Sequence, residues 1–294
     1  MKQILILGGT KYLGLEFVKL LNKSKIKFFV ASRKEIEVEN FIKIDRKNQG
    51  DLDQLFIDNQ FDVVVDFINY SGLDSKILIN SINQQKKIPK LILISTVYTY
   101  EMPLEIKCDS VYDENSFNAR KYKYSIIDGP QVSYAEGKRN MESYCIQNYR
   151  NDKLVILRFP IILGSNDYTQ RTHFYIAKIK NNIKINPNNV LKKSCYIFSA
   201  EAAKSILNFV DSNHWGIYNV SLDAISEFDL IKLFCNYYNL KIDSLLSSNI
   251  ETTNTPFTSN FDFIVDNSKY NSLSPMNIEF ETALNRELLK DSEK

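Results

Sequence analysis

A phenol and an ammonium one helical turn apart are the groups in this chain best suited to moving a proton. They are Tyr134 and Lys138, in Tyr-Ala-Glu-Gly-Lys. Positions i and i+4 of a helix share a face, so the lysine charge would favour phenolate over phenol and draw the tyrosine pKa from about 10 towards neutrality. Such a phenol can exchange a proton with a substrate oxygen while a hydride moves at the carbon bearing it. Thr96 ends the apolar run Leu91–Ser95, and its hydroxyl is placed to hold the same oxygen. Ser95 is the alternative for that role.

A hydride needs a carrier, and the start of the chain suits one. The apolar run Gln3–Leu7 leads into Gly8-Gly9-Thr10-Lys11-Tyr12-Leu13-Gly14 and then into helical periodicity, so three of the nine glycines fall within seven residues. Glycine permits a tight turn and close backbone approach to a pyrophosphate, and a helix N-terminus offers unpaired N–H groups with partial positive charge. Gly8, Thr10, Lys11, Tyr12, Leu13 and Gly14 are therefore candidate dinucleotide contacts. Lys11 stands where a middle glycine is usual and brings a cation towards the phosphates.

The second apolar run ends in Ser32-Arg33-Lys34, with no acidic residue to accept from the ribose hydroxyls of NAD. An arginine there can bind a 2′-phosphate and stack on adenine, which favours NADP(H) over NAD(H). Asp45-Arg46 closes the third run, where an aspartate can accept from the adenine amino group. Asp66-Phe67-Ile68-Asn69-Tyr70 closes the fourth. Asp45, Arg46, Phe67, Asn69 and Tyr70 thus stand at ligand-facing strand ends.

These residues need a scaffold that brings strand ends together. Apolar runs at 3–7, 27–32, 41–44, 61–68, 91–95, 154–158 and 217–220 alternate with stretches of helical period, such as Leu13, Phe17, Leu20 and Leu21. Several runs are apolar on successive residues, as in strands buried on both faces. The expected fold is α/β, a Rossmann-type doubly wound parallel sheet, with a smaller interleaved C-terminal lobe. Residues 1–160 and about 193–220 are assigned to the dinucleotide-binding unit, and 161–192 with 221–294 to a substrate-binding lobe. Ser226, three residues before Asp229, predicts a capped helix running through Leu240, and Glu281–Lys290 reads as a final helix.

Composition narrows the partners. Lysine plus arginine (37) nearly balances aspartate plus glutamate (35), so no global field draws the chain to nucleic acid or an anionic membrane. No apolar run approaches bilayer-spanning length, and a cytoplasmic protein is expected. The four cysteines lie far apart without metal-ligand spacing and read as reduced thiols, and two histidines build no metal site.

Taken together, the chain resembles the extended short-chain dehydrogenase/reductases, specifically the NAD-dependent epimerase/dehydratase branch that commonly acts on nucleotide sugars. The resemblance rests on Gly8–Gly14, Asp45, Asp66–Tyr70, Ser95-Thr96 with Tyr100, Tyr134 with Lys138, Arg158 with Gly164, and Asp266-Asn-Ser-Lys269. It implies that Thr96, Tyr134 and Lys138 are catalytic and that Lys138 and Phe159 meet the cofactor. It also implies that Tyr98, Arg171 and Tyr196 are candidates for the substrate. Relatives often dimerise through a helix pair that would include Tyr134–Tyr149.

Departures from the family pattern narrow the chemistry it implies. The sugar 4,6-dehydratases carry Asp-Glu after the threonine, where this chain has Val97-Tyr98, and the GDP-fucose synthases carry a cysteine where Val97 stands. Hydride transfer at one hydroxyl or ketone remains, as reduction of a ketosugar or inversion at C4, with the compact length favouring the reductase. Glu101 replaces the glycine that ordinarily follows Tyr100. The competing reading is a non-catalytic dinucleotide sensor or RNA-associated protein, since some relatives with a Gly-Gly-Thr-basic-aromatic turn take such roles.

Overall fold

The computed structural model describes residues 2–24, 26–101 and 111–292. In chain order its elements begin β1 (Ile4–Leu7), α1 (Tyr12–Ser24), β2 (Phe28–Ser32), β3 (Phe41–Lys43), α2 (Gln49–Asp58), β4 (Val63–Asp66), α3 (Gly72–Ile82), β5 (Lys90–Thr96), β6 (Val111–Tyr112) and α4 (Tyr134–Asn148). They continue with β7 (Leu154–Phe159), β8 (Ile161–Leu163), α5 (Arg171–Lys180), β9 (Lys193–Phe198), α6 (Ser199–Asp211), β10 (Gly216–Asn219), β11 (Ala224–Ser226) and α7 (Glu227–Tyr237). The last are β12 (Ile264–Val265), α8 (Ser268–Asn271) and α9 (Phe280–Ser292).

The seven apolar runs become one seven-stranded sheet in the order β10-β7-β5-β4-β1-β2-β3, parallel throughout. This is the doubly wound α/β arrangement expected from their uninterrupted hydrophobicity. Alternate strand residues feed two cores. Leu5, Leu7, Val64, Leu91 and Leu93 pack with α2, α3 and α4 on one face, while Ile4, Ile6, Val65, Ile92 and Ile94 pack with α1 and α6 on the other. Chain order reverses between β1 and β4, and Leu7 pairs there with Asp66. A crevice must open at such a switch point, because the two following connections leave in opposite directions.

A third core joins α5, α7 and α9 to a small sheet ordered β11-β9-β8. Strand β9 stands between two cores. Tyr196 and Phe198 face this third cluster, whereas Ile197 faces the core beneath α6. The Ser226 cap forms as expected, accepting from Asp229 N, though its helix ends at Tyr237. Cys145, Cys195 and Cys235 are buried free thiols, and Cys108 lies outside the described residues.

Candidate active site

The phosphate-cradle geometry comes from backbone conformation. Gly8 and Gly9 have φ of 91° and 75°, values that bring the chain off β1 and straight into α1. Gly14 lies against them, and a Cβ there would stand 2.7 Å from Gly9 Cα. The first turn of α1 carries no acidic side chain, so its N–H groups and positive dipole end are free to receive an anion. Tyr12, itself at φ 47°, donates from its hydroxyl to Ile162 O at 2.5 Å, tying the turn to β8.

From this turn a continuous cleft runs two ways. One arm, about 390 Å³, holds Gly8–Gly14, Phe67, Ile68 and Tyr70, then Thr96, Tyr134, Lys138, Phe159, Pro160, Ile162 and Tyr168. The other, about 440 Å³, shares Gly8, Thr10, Lys11, Ile68 and Tyr70 and extends along Ser32, Arg33, Lys34, Asp45 and Arg46. Strand ends thus supply both arms from a glycine-lined waist, an arrangement that fits an elongated dinucleotide.

Helix α4 is seated by a close approach that the motif alone did not reveal. A Cβ at Gly137 would stand 2.3 Å from Tyr70 O, so only glycine lets the first turn of α4 lie on the segment after β4. Ser133 caps that turn by accepting from Glu136 N. Lys138, fully enclosed, donates to Asn69 O at 2.8 Å and Ile94 O at 2.7 Å. Its Nζ lies 4.7 Å from the Tyr70 ring centroid and 5.9 Å from that of Tyr134. Burial lowers the lysine pKa to about 8, against the raising pull of Asp66, Glu142 and Asp74.

The phenol behaves differently from the expectation drawn from spacing. Tyr134 keeps more than half of its surface open (55%), yet protein crowded around its hydroxyl raises its pKa. Tyr70 adds to the rise, and the Thr96 hydroxyl opposes it. Burial of the hydroxyl therefore keeps the phenol protonated in the protein alone, while Lys138 donates to the carbonyls of Asn69 and Ile94. The two hydroxyls at the end of β5 both line the cleft but differ in their partners. Ser95 donates to Glu142, which makes a fully buried ion pair with Arg158 at 2.6 Å, and Tyr100 completes this network by accepting from Arg158 at 2.8 Å. The Arg158–Glu142 pair lay outside the sequence-derived site, although an arginine in an apolar strand signals a buried partner.

Several other candidates have partners within the protein, and others stand at the edge of the cleft. Arg46 is buried and pairs with Asp66 at 2.7 Å and Asp74 at 2.9 Å, its charge committed to the protein. The Asn69 side chain is buried and accepts from Ser75, leaving its backbone carbonyl to Lys138. Arg171 is held by Asp167 at 3.1 Å and by Ile162 O at 3.1 Å. Tyr196 packs edge-on against Phe257 and Phe280 in the third core, because strand alternation turns it away from the cleft. Tyr98 stacks on Phe263 beside the cleft. Arg33 is exposed at the rim of the second arm.

The family model for the NAD dependent epimerase/dehydratase family matches residues 4–220, more than half of the chain. The chain belongs to this family. It is thereby an extended short-chain dehydrogenase/reductase, and the nicotinamide dinucleotide of that family suits a cleft with a bare helix N-terminus at its waist. Among solved structures it is similar to dTDP-glucose 4,6-dehydratase of Bacillus anthracis in complex with NAD, at 12% identity and a TM-score of 0.74 over 100% of this chain and 97% of that one. It is also similar to UDP-N-acetylglucosamine 4-epimerase of Bacillus cereus, at 17% identity and 0.73 over 99% of each. UDP-glucose 4-epimerase of Thermotoga maritima matches at 13% identity and 0.73, over 99% of this chain and 100% of that one. At these identities the likeness is one of fold. No curated protein sequence matches the chain significantly. Among the described residues, no cluster of ligating side chains could hold a metal ion, and no helix is long and apolar enough to cross a membrane.

Proposed function

We propose that this family member transfers a hydride between a nicotinamide dinucleotide and one carbon of a nucleotide sugar, most simply reducing a keto group, with C4 inversion as the related outcome. The observation that carries the proposal is the meeting, in one cleft, of the glycine turn with Thr96, Tyr134 and Lys138. The Gly8–Gly14 turn would hold the pyrophosphate, and Ser32, Arg33 and Asp45 the adenosine end. Arg33, with no acidic neighbour in Ser32-Arg33-Lys34, favours NADP(H). When bound, the cofactor supplies or accepts the hydride. Thr96 and Tyr134 hold the substrate oxygen, and the Tyr134 hydroxyl, protonated in the protein alone, donates its proton to a carbonyl being reduced. Lys138, cationic below about pH 8, stabilises the phenolate left behind. Residues 161–192 and 221–294 would form the substrate-binding lobe.

The test is Tyr134→Phe, assayed with a panel of nucleotide sugars and 4-keto sugars and checked by thermal shift with NAD and NADP. Turnover should fall by about two to four orders of magnitude, the span of a lost general acid, while the cofactor-induced rise in melting temperature persists. Full turnover in the variant would refute the relay, and no shift with either cofactor would refute the dinucleotide site.

A further inference from the structure

Next to the main cleft, with Pro160 as their common wall, lies a second cavity of about 240 Å³. Tyr98 and Glu101 enter it from the turn after β5, Ser194 from β9, and Thr258, Ser259 and Asn260 from the segment before β12. Hydroxyl, amide and phenol groups dominate its polar lining. The only charged side chain among these described residues is that of Glu101.

The Glu101 carboxylate makes no hydrogen bond to any described residue; the bonds at this position are made by its backbone N–H to Tyr98 O and by its carbonyl, which accepts from Arg139. Among the described residues Arg139 is the cation that acts on it, but that guanidinium is committed to the carbonyls of Thr99 and Glu101 and to the carboxylate of Glu136. Burial raises the Glu101 pKa, with Arg139 opposing. The same carboxylate raises the Tyr98 pKa after burial has done so, and Tyr98 in turn acts on the Tyr134 phenol. Glu101 therefore sits one side chain removed from the proton-transfer group, half-buried and lacking a donor among the described residues. A partly desolvated carboxylate in that state is stabilised by any N–H or O–H that enters, most of all by an ammonium, and it repels an anion.

We infer that Glu101 is a specificity-determining residue that receives a hydrogen-bond donor of the substrate, an ammonium most strongly, and excludes a carboxylate from the same place. The inference rests on the nucleotide-sugar reading and narrows it to neutral and amino sugars. The polar residues opposite Glu101 would complete the shell around such a group, and Tyr98 would orient the reacting carbon towards Thr96 and Tyr134.

Matched hexose, amino-hexose and uronate members of the uridine, thymidine and guanosine diphosphate series would be titrated into the full chain with saturating NAD. Thermal shift and calorimetry would be read for the wild type and for Glu101→Gln, which keeps size and loses charge. In the wild type the amino sugar should bind at least about tenfold more tightly than the uronate, the scale of a hydrogen bond to a charged group. In Glu101→Gln that gap should shrink to about twofold. A uronate that binds the wild type as tightly as the hexose, or a ranking that survives in Glu101→Gln, overturns the inference while leaving the nucleotide-sugar reading in place. If every series is silent while NAD still raises the melting temperature, that reading falls and the inference falls with it.

Discussion

The two sides of the cleft are built from different materials. At the dinucleotide end the geometry is mostly main chain: positive φ at Gly8 and Gly9, a helix N-terminus without an acidic residue, and a Gly14 whose Cβ has no room. In the adjoining cavity it is side chain, drawn from segments near residues 98–101, 160, 194 and 258–261. Backbone geometry depends on a few adjacent residues and tolerates little substitution. A wall of distant side chains can be exchanged residue by residue, so specificity is free to vary there while cofactor binding stays constant.

The largest expected effect tests the rigid end. Gly14→Val places a Cβ 2.7 Å from Gly9 Cα, and forcing main chain apart in a packed turn should cost roughly 3 kcal/mol. Urea unfolding with and without cofactor would measure the loss, and the cofactor-induced stabilisation should vanish as well. Wild-type stability in this variant would show that the turn is not held by backbone packing.

The next effect concerns the group linking the two ends. Lys138 has its pKa lowered by burial to about 8 from the ordinary 10.5, so the cation is present below that pH and lost above it. kcat/KM should therefore fall by about tenfold per pH unit above about pH 8. Stability moves the opposite way. Between about 8 and 10.5 the unfolded lysine holds its proton while the folded one has released it, so unfolding free energy from this group rises with pH across that window. A pH–rate profile flat to pH 10 would remove Lys138 as a required cation.

The smallest effect lies at the rim. Arg33→Ala should weaken NADP binding by about tenfold and leave NAD nearly unchanged, because only the former carries a phosphate for the guanidinium. Calorimetry with both cofactors would measure it, and an equal loss for both would show that Arg33 acts on the shared adenosine or on packing.

Much of the dinucleotide end was legible because its signals are local. Uninterrupted apolar runs marked the seven sheet strands, and the turn from Gly8 to Gly14 needed only its neighbours to declare a strand-to-helix reversal. Arg46, Arg171 and Tyr196 were harder, since each has a side chain suited to a ligand and only its partners decide otherwise. Asp66 and Asp74 lie 20 and 28 residues from Arg46, a separation over which sequence pattern carries no pairing information. The lowered Tyr134 pKa expected from helical spacing was reversed for a related reason: burial of the hydroxyl, and then Tyr70, raise it, and both come from segments remote in sequence.

By itself the sequence determined the sheet strands and the glycine-rich strand-to-helix turn, because hydrophobic period and glycine conformation belong to residues or short windows. Tertiary structure alone decided that Ser95 donates to Glu142, itself paired with Arg158, while the Thr96 hydroxyl acts on the Tyr134 phenol. It also decided that Gly137 admits α4 against Tyr70 and that the Glu101 carboxylate lines a cavity with no hydrogen-bond donor among the described residues. Those outcomes depend on burial and on distances between elements far apart in the chain, and solvation assigns each group its charge and its role only once the elements are packed.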